Sequence, residues 1–171
     1  MAIFKSVSLG DNPDNPNLIT NQINYILRPD KNVRYWGGYN FMMTDVDSII
    51  EQFYAVRKVF RRFNGIQMRH FVLSFSDYYE GKLTGYQAFC IGKYIAQIFL
   101  NYYQVIFAVH EKTGQLHIHF LVNTVDIHDG SLFDLNKYTL NNLCLQVQFI
   151  LRCPYLWGSK KKIKLFSPDD W

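Results

Sequence analysis

The chain has 171 residues, of which 49% are hydrophobic, 17% aromatic and 19% charged. This balance is typical of a globular protein and excludes an intrinsically disordered chain. The formal net charge of +4 at pH 7 favours a polyanionic partner without identifying one. We expect residues 1–171 to form a single domain of the α+β class, with a central, largely antiparallel sheet flanked by helices.

Neither a targeting segment nor a membrane insertion is expected. The amino terminus lacks the apolar core of a signal peptide, and the most apolar region, residues 86–109, is interrupted by Lys93, Gln97, Asn101 and Gln104. Cys90, Cys144 and Cys153 are widely spaced among apolar residues. This pattern fits neither a disulfide framework nor a zinc knuckle, and it predicts reduced thiols in a cytoplasmic protein.

The first part of the chain predicts a strand, a helix and a loop. Residues 2–8 are expected to form the strand. The helix begins at a cap near Asn17 or Thr20 and ends before Pro29, because the residue preceding a proline avoids helical geometry. Residues 31–43 contain two adjacent glycines among aromatic side chains, and we expect them to form a mobile loop.

The middle of the chain predicts a helix, a strand and a turn. The helix runs from a cap at Thr44 or Asp45 to about Phe63, with an apolar stripe at helical spacing. Residues 69–76 alternate as a strand, and residues 77–81 form the turn after it.

The last part predicts helices at about 84–103 and 136–152 with a hairpin between them. A short strand is expected at residues 163–166.

Three of the five histidines lie within ten residues, in the run His110-Glu-Lys-Thr-Gly-Gln-Leu-His117-Ile-His119. Because successive side chains of a strand point to opposite faces, His117 and His119 share a face. Thr113-Gly114 predicts a hairpin turn that brings His110 back alongside them. Three imidazoles that converge in this way predict a metal site with coordination positions left for water or substrate. The alternative is three polar residues on a solvated sheet face.

A metal held by three histidines serves many reactions, so the chain must also supply a nucleophile. The best candidate is Tyr25, which lies on a short predicted helix with Arg28 and Lys31 downstream. A phenol attacks a phosphate where positive charge, a base or a metal activates it. From the residues alone, Tyr25 is one candidate among twelve tyrosines.

Three segments occur in order between residues 19 and 125: Tyr25-Ile-Leu-Arg-Pro-Asp-Lys31, His70-Phe-Val-Leu-Ser74-Phe-Ser76, and His110-x6-His117-Ile-His119-x3-Asn123. They resemble, in turn, the nucleophile motif, the middle motif and the third motif of the mobilisation relaxases of plasmids and conjugative elements. These are the His-hydrophobic-His endonucleases.

The resemblance implies a sheet-based nuclease domain that nicks one strand of single-stranded or hairpin DNA at an origin of transfer. Tyr25 would attack the scissile phosphodiester, stay joined to the 5′ phosphate and release a 3′ hydroxyl, so that the same site can reseal the strand. Accessory mobilisation proteins and coupling proteins are the implied protein partners.

The resemblance also implies that His110, His117 and His119 hold one divalent metal ion against the phosphate. Mn²⁺ or Mg²⁺ is expected. Other transition metals stay open, because three imidazoles bind zinc, cobalt or nickel more strongly.

Several acids are candidates for supporting roles. Relaxases often place an aspartate shortly after the first histidine of the third motif, where this chain has Glu111. Glu111 or Asp126 is predicted to fix an imidazole tautomer, with a solvated turn carboxylate as the alternative. Asp77 or Glu80, after the middle motif, could accept the proton of the nucleophile. His70 is interpreted as structural or DNA-facing.

Candidate DNA contacts fall into four groups. Exposed rings in the loop near residue 35 could stack on bases, with a packed hydrophobic lid as the alternative. The basic clusters could bind the phosphate backbone, with a solvated helix face or a solubilising tail as the alternative. The residues are Arg28 and Lys31; Arg34, Tyr35 and Trp36; Arg57 and Arg61; and Lys160, Lys161 and Lys162.

Other functions remain open at this stage. In a rolling-circle replication initiator or single-strand transposase of the same superfamily, the nucleophile usually follows the histidines, which would favour Tyr138 or Tyr155. The chain could also be a non-catalytic DNA-binding relative, or a three-histidine zinc hydrolase of small molecules.

Overall fold

The computed structural model describes residues 2–8, 15–27, 33–76, 82–111, 116–158 and 162–164. The strands are β1 (Ala2–Val7), β2 (Trp36–Tyr39), β3 (Met68–Phe75), β4 (Val105–His110) and β5 (His117–Asn123). The helices are α1 (Leu18–Leu27), α2 (Val46–Val59), α3 (Gly85–Ala96) and α4 (Lys137–Arg152), with short 3₁₀ turns at Gln97–Phe99 and Pro154–Trp157.

The five strands form one antiparallel sheet in the order β1-β3-β5-β4-β2. This arrangement confirms the α+β prediction. The predicted hairpin of β4 and β5 occupies the middle of the sheet, with His110 directly opposite His117. The turn residues predicted for this hairpin lie outside the described part of the chain.

Helices cover both faces of the sheet, and each face has its own hydrophobic core. One core, the α1/α2 core, joins those helices to four sheet residues, Met68, Ile106, Ala108 and Leu121. The other, the α3/α4 core, joins α3 and α4 to the alternate residues of the same strands, including Phe71, Phe107 and Phe120. Because side chains alternate along a strand, the residues of one core lie on the opposite face of the sheet from those of the other. The histidines of β3, β4 and β5 have the parity of the α1/α2 core.

The helices around the site follow from their sequences. In α1, Ile19, Ile23 and Ile26 recur at helical spacing and are fully buried. The side chain of Asp45 caps α2 by accepting a hydrogen bond from the Ser48 backbone. The prediction that α2 reaches residue 63 is wrong, because Arg61 adopts a φ of 54°, which a right-handed helix does not accommodate.

The prediction of a mobile loop at 31–43 is wrong for residues 36–39, which form the edge strand β2. Its side chains alternate between the two faces: Trp36 packs against the α1/α2 core and Tyr39 against the α3/α4 core. The glycines serve close packing here. A Cβ at Gly37 would lie 3.2 Å from the Phe107 ring, and one at Gly38 would overlap the Val105 carbonyl oxygen.

The predicted elements of the second half of the chain agree with the structure to different extents. The helix predicted from 84 to 103 is shorter: α3 ends at Ala96 and continues only as a 3₁₀ turn. Helix α4 has the predicted bounds to within one residue: Asn136 is its cap, and it ends at Arg152. In the predicted strand at 163–166, the two described residues form no strand, although the Lys164 carbonyl accepts a hydrogen bond from the Ala2 backbone. The predicted turn at 77–81 lies outside the described residues.

The structure also bears on membrane insertion and on the cysteines. Within the described ranges, no helix has the length and apolarity required to cross a membrane. The described cysteines, Cys90, Cys144 and Cys153, form no disulfide bond in the structure.

Candidate active site

Three histidines converge at one end of the β4–β5 hairpin. The ring centroids of His110 and His119 are 4.4 Å apart, those of His117 and His119 are 4.8 Å apart, and those of His110 and His117 are 5.2 Å apart. One ring nitrogen from each residue lies within 4.8 Å of the others. A set of three neutral imidazole donors suits a divalent transition metal. The cluster can therefore hold a metal ion.

His110 is hydrogen-bonded to the helix that carries Tyr25. Its Nε2 lies 2.7 Å from the carbonyl oxygen of Ile26, in the last turn of α1, where carbonyls have no partner within the helix. Because a carbonyl oxygen only accepts, Nε2 must donate the proton. Neutral His110 then carries its lone pair on Nδ1, and this is the nitrogen that can bind a metal.

A fourth histidine, His70 in β3, contacts the cluster. Its Nε2 lies 2.8 Å from Nδ1 of His119, and only 4% of the residue is exposed. Burial, with a further contribution from nearby His110, lowers the pKa of His70 to about 4, so its ring is neutral at pH 7. Sequence reasoning did not pair His70 with His119. The pairing depends on the β3–β5 register, which places His119 opposite Val72, two residues from His70, and no local pattern of the sequence displays this register.

Tyr25 lies over the histidines. Its ring meets that of His119 edge-on, with centroids 5.6 Å apart and an interplanar angle of 86°, and its centroid is 6.4 Å from that of His110. The Tyr25 side chain is 47% exposed. Helix α1 packs on the histidine face of the sheet, so a residue beside its buried stripe reaches the cluster from above. The structure thus brings Tyr25 and the three histidines together.

Of the predicted acids, the two that the structure describes do not approach the histidines. Glu111 follows His110 directly and therefore points towards the other face, where its carboxylate lies against Gly85 at the start of α3. Asp126 lies beyond the far end of β5 and accepts a hydrogen bond from the backbone of His128. Asp77 and Glu80 fall outside the described residues.

The aromatic group near residue 35 is largely packed. Tyr35 and Trp36 are half-buried, and the Tyr35 ring lies 6.0 Å from that of Phe89 on the α3 side. Arg34 is exposed, with its guanidinium 5.2 Å from the centre of the Tyr35 ring. A hydrogen bond from Val109 to the Tyr35 carbonyl extends the β2–β4 ladder, so Arg34 stands beside the end of β4 that carries His110.

The other predicted DNA contacts differ in exposure. Arg57 is 4% exposed and donates hydrogen bonds to the Gln67 carbonyl and to Thr124 Oγ1. Arg61 and Lys162 are exposed. The structure does not describe the remaining four, Arg28, Lys31, Lys160 and Lys161.

The fold and the histidine cluster define an α+β protein with a potential metal site, and comparison with known families identifies its class. Residues 25–148, most of the chain, match the family described as "Relaxase: MobA/VirD2-like, nuclease domain". The chain therefore belongs to the MobA/VirD2-like relaxase nuclease-domain family. The matched range begins at Tyr25 and contains all three motifs on which the resemblance was based, and the predicted family is confirmed.

Individual relatives support the same assignment. "Protein rlx" of Staphylococcus aureus is 25% identical over 99 residues, which are 58% of this chain and 29% of that protein. The chain thus spans less than a third of the length of this relative. A solved structure described as "Molecular Basis of Vancomycin Resistance Transfer in Staphylococcus aureus" has a TM-score of 0.62 and 12% identity, covering 97% of this chain and 96% of the other. This likeness shows that the two chains share the same overall fold.

Proposed function

We propose that the chain nicks one strand of single-stranded or hairpin DNA at an origin of transfer, with Tyr25 as the nucleophile, during conjugative mobilisation. The observation that carries the proposal is the position of the Tyr25 ring, 5.6 Å from His119 and 6.4 Å from His110. These residues come from segments more than eighty positions apart in the chain. A phenol beside a potential metal centre is the arrangement that phosphodiester transfer to tyrosine requires.

The reaction assigns a separate task to each part of the site. A divalent cation held by His110, His117 and His119 would withdraw charge from the scissile phosphate. The Tyr25 hydroxyl oxygen forms a bond to phosphorus as the bond to the 3′ oxygen breaks. The phenolic proton passes to solvent, which the half-exposed Tyr25 can reach, and the departing 3′ oxygen takes up a proton. The resulting phosphotyrosine ester can be attacked by a 3′ hydroxyl, so the strand can be resealed or transferred.

The position of the later tyrosines argues against the replication-initiator alternative. Tyr138 lies in α4 and is 76% exposed, and Tyr155 follows that helix with the same exposure. Helix α4 packs through Leu143 and Val147 on the face of the sheet opposite the histidines. This placement supports Tyr25 as the nucleophile.

Exposed cations near the site are the proposed backbone contacts. Arg34 stands beside the end of β4 that carries His110, which suits a phosphate next to the scissile position. Arg61 and Lys162, both exposed, would contribute more distant electrostatic attraction.

The test compares matched tyrosine variants. Wild type, Tyr25→Phe and Tyr138→Phe are incubated with a single-stranded oligonucleotide of the cognate origin and Mn²⁺, and covalent protein–DNA adducts are measured by denaturing electrophoresis and mass spectrometry. Wild type and Tyr138→Phe should form a nucleotide-linked tyrosine, Tyr25→Phe should form none, and EDTA should abolish the reaction. An adduct that survives Tyr25→Phe, or that is lost in Tyr138→Phe, would contradict the proposal.

A further inference from the structure

The hydrogen bond between His70 and His119 joins a residue outside the histidine trio to one inside it. The two ring nitrogens are 2.8 Å apart, and both residues are almost completely buried. His70 lies in β3, one strand away from the hairpin, and its ring centroid is 5.1 Å from that of His119. Burial excludes competing water, so this bond fixes both rings.

The position of the shared proton decides what His119 can bind. If Nδ1 of His119 donates, Nε2 of the neutral ring keeps a lone pair that a cation can use. If His70 donates instead, neutral His119 must carry its proton on Nε2 and cannot bind through that atom. Metal-binding histidines generally donate their second ring nitrogen to an acceptor for this reason.

We propose that His70 is a positioning residue that accepts the Nδ1 proton of His119 and so holds His119 in the tautomer that presents Nε2 to the metal. The inference rests on the metal site of the proposed function and adds a histidine that does not touch the ion. His110 has an equivalent partner, because its Nε2 donates to the Ile26 carbonyl. Two of the three ligands are thus oriented by neutral acceptors.

A neutral acceptor has a consequence that a carboxylate would not have. A carboxylate next to a ligand would add negative charge close to the cation and offset part of its attraction for a phosphate. Glu111 and Asp126, the two described acids considered for this role, lie elsewhere in the structure. His70 therefore fixes the ring of His119 while leaving the charge at the site unchanged.

The first experiment measures metal affinity in the absence of DNA. Mn²⁺ is titrated calorimetrically into wild type, His70→Leu, His70→Gln and Leu121→Ala. Leu removes the acceptor, whereas Gln offers an amide oxygen near the former Nε2. Leu121 is fully buried and directly opposite His70 in β5, so Leu121→Ala disturbs the packing without removing the hydrogen bond.

The expected loss is specific to the acceptor. His70→Leu should raise the dissociation constant roughly 10- to 100-fold. His70→Gln should recover most of that loss, and Leu121→Ala should retain the wild-type affinity although its melting temperature falls. Equal affinity in wild type and His70→Leu would overturn the inference, as would an equal loss in Leu121→Ala.

The second experiment observes the tautomers directly in the metal-free wild-type chain, so it stands even where a variant does not fold. Long-range ¹H–¹⁵N correlation spectra of the imidazoles should show the His119 proton on Nδ1. A proton on Nε2 of His119 in a chain that nicks DNA would overturn the inference alone. The expected tautomer and metal affinity in a chain that forms no DNA adduct would overturn the proposed nicking alone.

Discussion

We expect Arg57→Ala to lower the free energy of unfolding by about 3 kcal/mol. Arg57 donates from one guanidinium nitrogen to the Gln67 carbonyl and to Thr124 Oγ1, each at 3.1 Å. A hydrogen bond from a charged donor contributes about 1.5–3 kcal/mol. Two effects reduce the loss, so we place the net destabilisation near the lower end of the range of about 3–6 kcal/mol for two such bonds. Burial disfavours the charged form, which is why it lowers the pKa of Arg57, and both acceptors keep other hydrogen bonds when the guanidinium is removed.

Lys58 provides the matched control, because it is the next residue of α2 and is exposed. Lys58→Ala should change stability by less than about 0.5 kcal/mol. Urea denaturation in EDTA measures both variants, and the salt dependence of single-stranded DNA binding separates structural from electrostatic roles. Removal of a phosphate contact should reduce the slope of log K against log salt by about 0.7.

Arg57→Ala should leave that slope unchanged. If Arg57→Ala were as stable as wild type and reduced the slope, the argument from burial would be refuted. The side chain would then contact DNA as its basic helical spacing first suggested.

Three further predictions concern the site and its support. The pKa of His70 lies near 4 in the folded chain and near 6.5 in the unfolded chain, so the unfolded chain binds the extra proton between these values. In EDTA, the free energy of unfolding should therefore be constant above about pH 6.5 and fall by about 3 kcal/mol towards pH 4. Denaturation of His70→Leu over the same pH range should not show this loss. Mn²⁺ at about 100 times its dissociation constant should raise the unfolding free energy by about 2.7 kcal/mol, and thermal melts of His117→Ala should show no such rise. In Gly92→Ala, the new Cβ would lie 2.6 Å from the ring of Phe107, so overpacking of about 1–3 kcal/mol should outweigh the gain in helix propensity of about 1 kcal/mol. Destabilisation that Phe107→Leu fails to relieve would exclude this contact as the cause.

The local patterns of the sequence were sufficient for much of the fold. The apolar stripe of α1 buries one face of that helix, so its period predicts its class. In β3 both faces are covered, but Phe71, Leu73 and Phe75 alternate onto one core, and this period of two predicts a strand. The Gly37-Gly38 pair was misread, because the same residue type serves both mobility and close contact. Only the neighbouring strand β4, which brings the Phe107 ring and the Val105 carbonyl against these glycines, distinguishes the two roles.

The candidate site also has one part that local sequence patterns predict and one part that they do not. The histidine trio was predictable because a strand places His117 and His119 on one face and a hairpin returns His110. The approach of Tyr25 was inferred only through a family resemblance, since no local rule relates α1 to the hairpin.

The contacts of Arg57 and His70 could not be predicted from local sequence patterns. The helical spacing of Arg57 matches that of its exposed neighbours, yet its guanidinium reaches into the interior towards residues ten and sixty-seven positions away. The partner of His70 depends on a strand register that the sequence does not display.

The hydrogen bond between the Ile26 carbonyl and His110 links helix α1 to the histidine cluster. Tyr25 precedes Ile26 in the same helical turn, so a displacement of this turn moves the Tyr25 hydroxyl and also reorients the His110 ring. Under the proposed function, DNA that shifts α1 on binding would therefore change the position of the nucleophile and the geometry of a metal ligand together. Substrate binding and metal affinity would then be coupled through a single hydrogen bond.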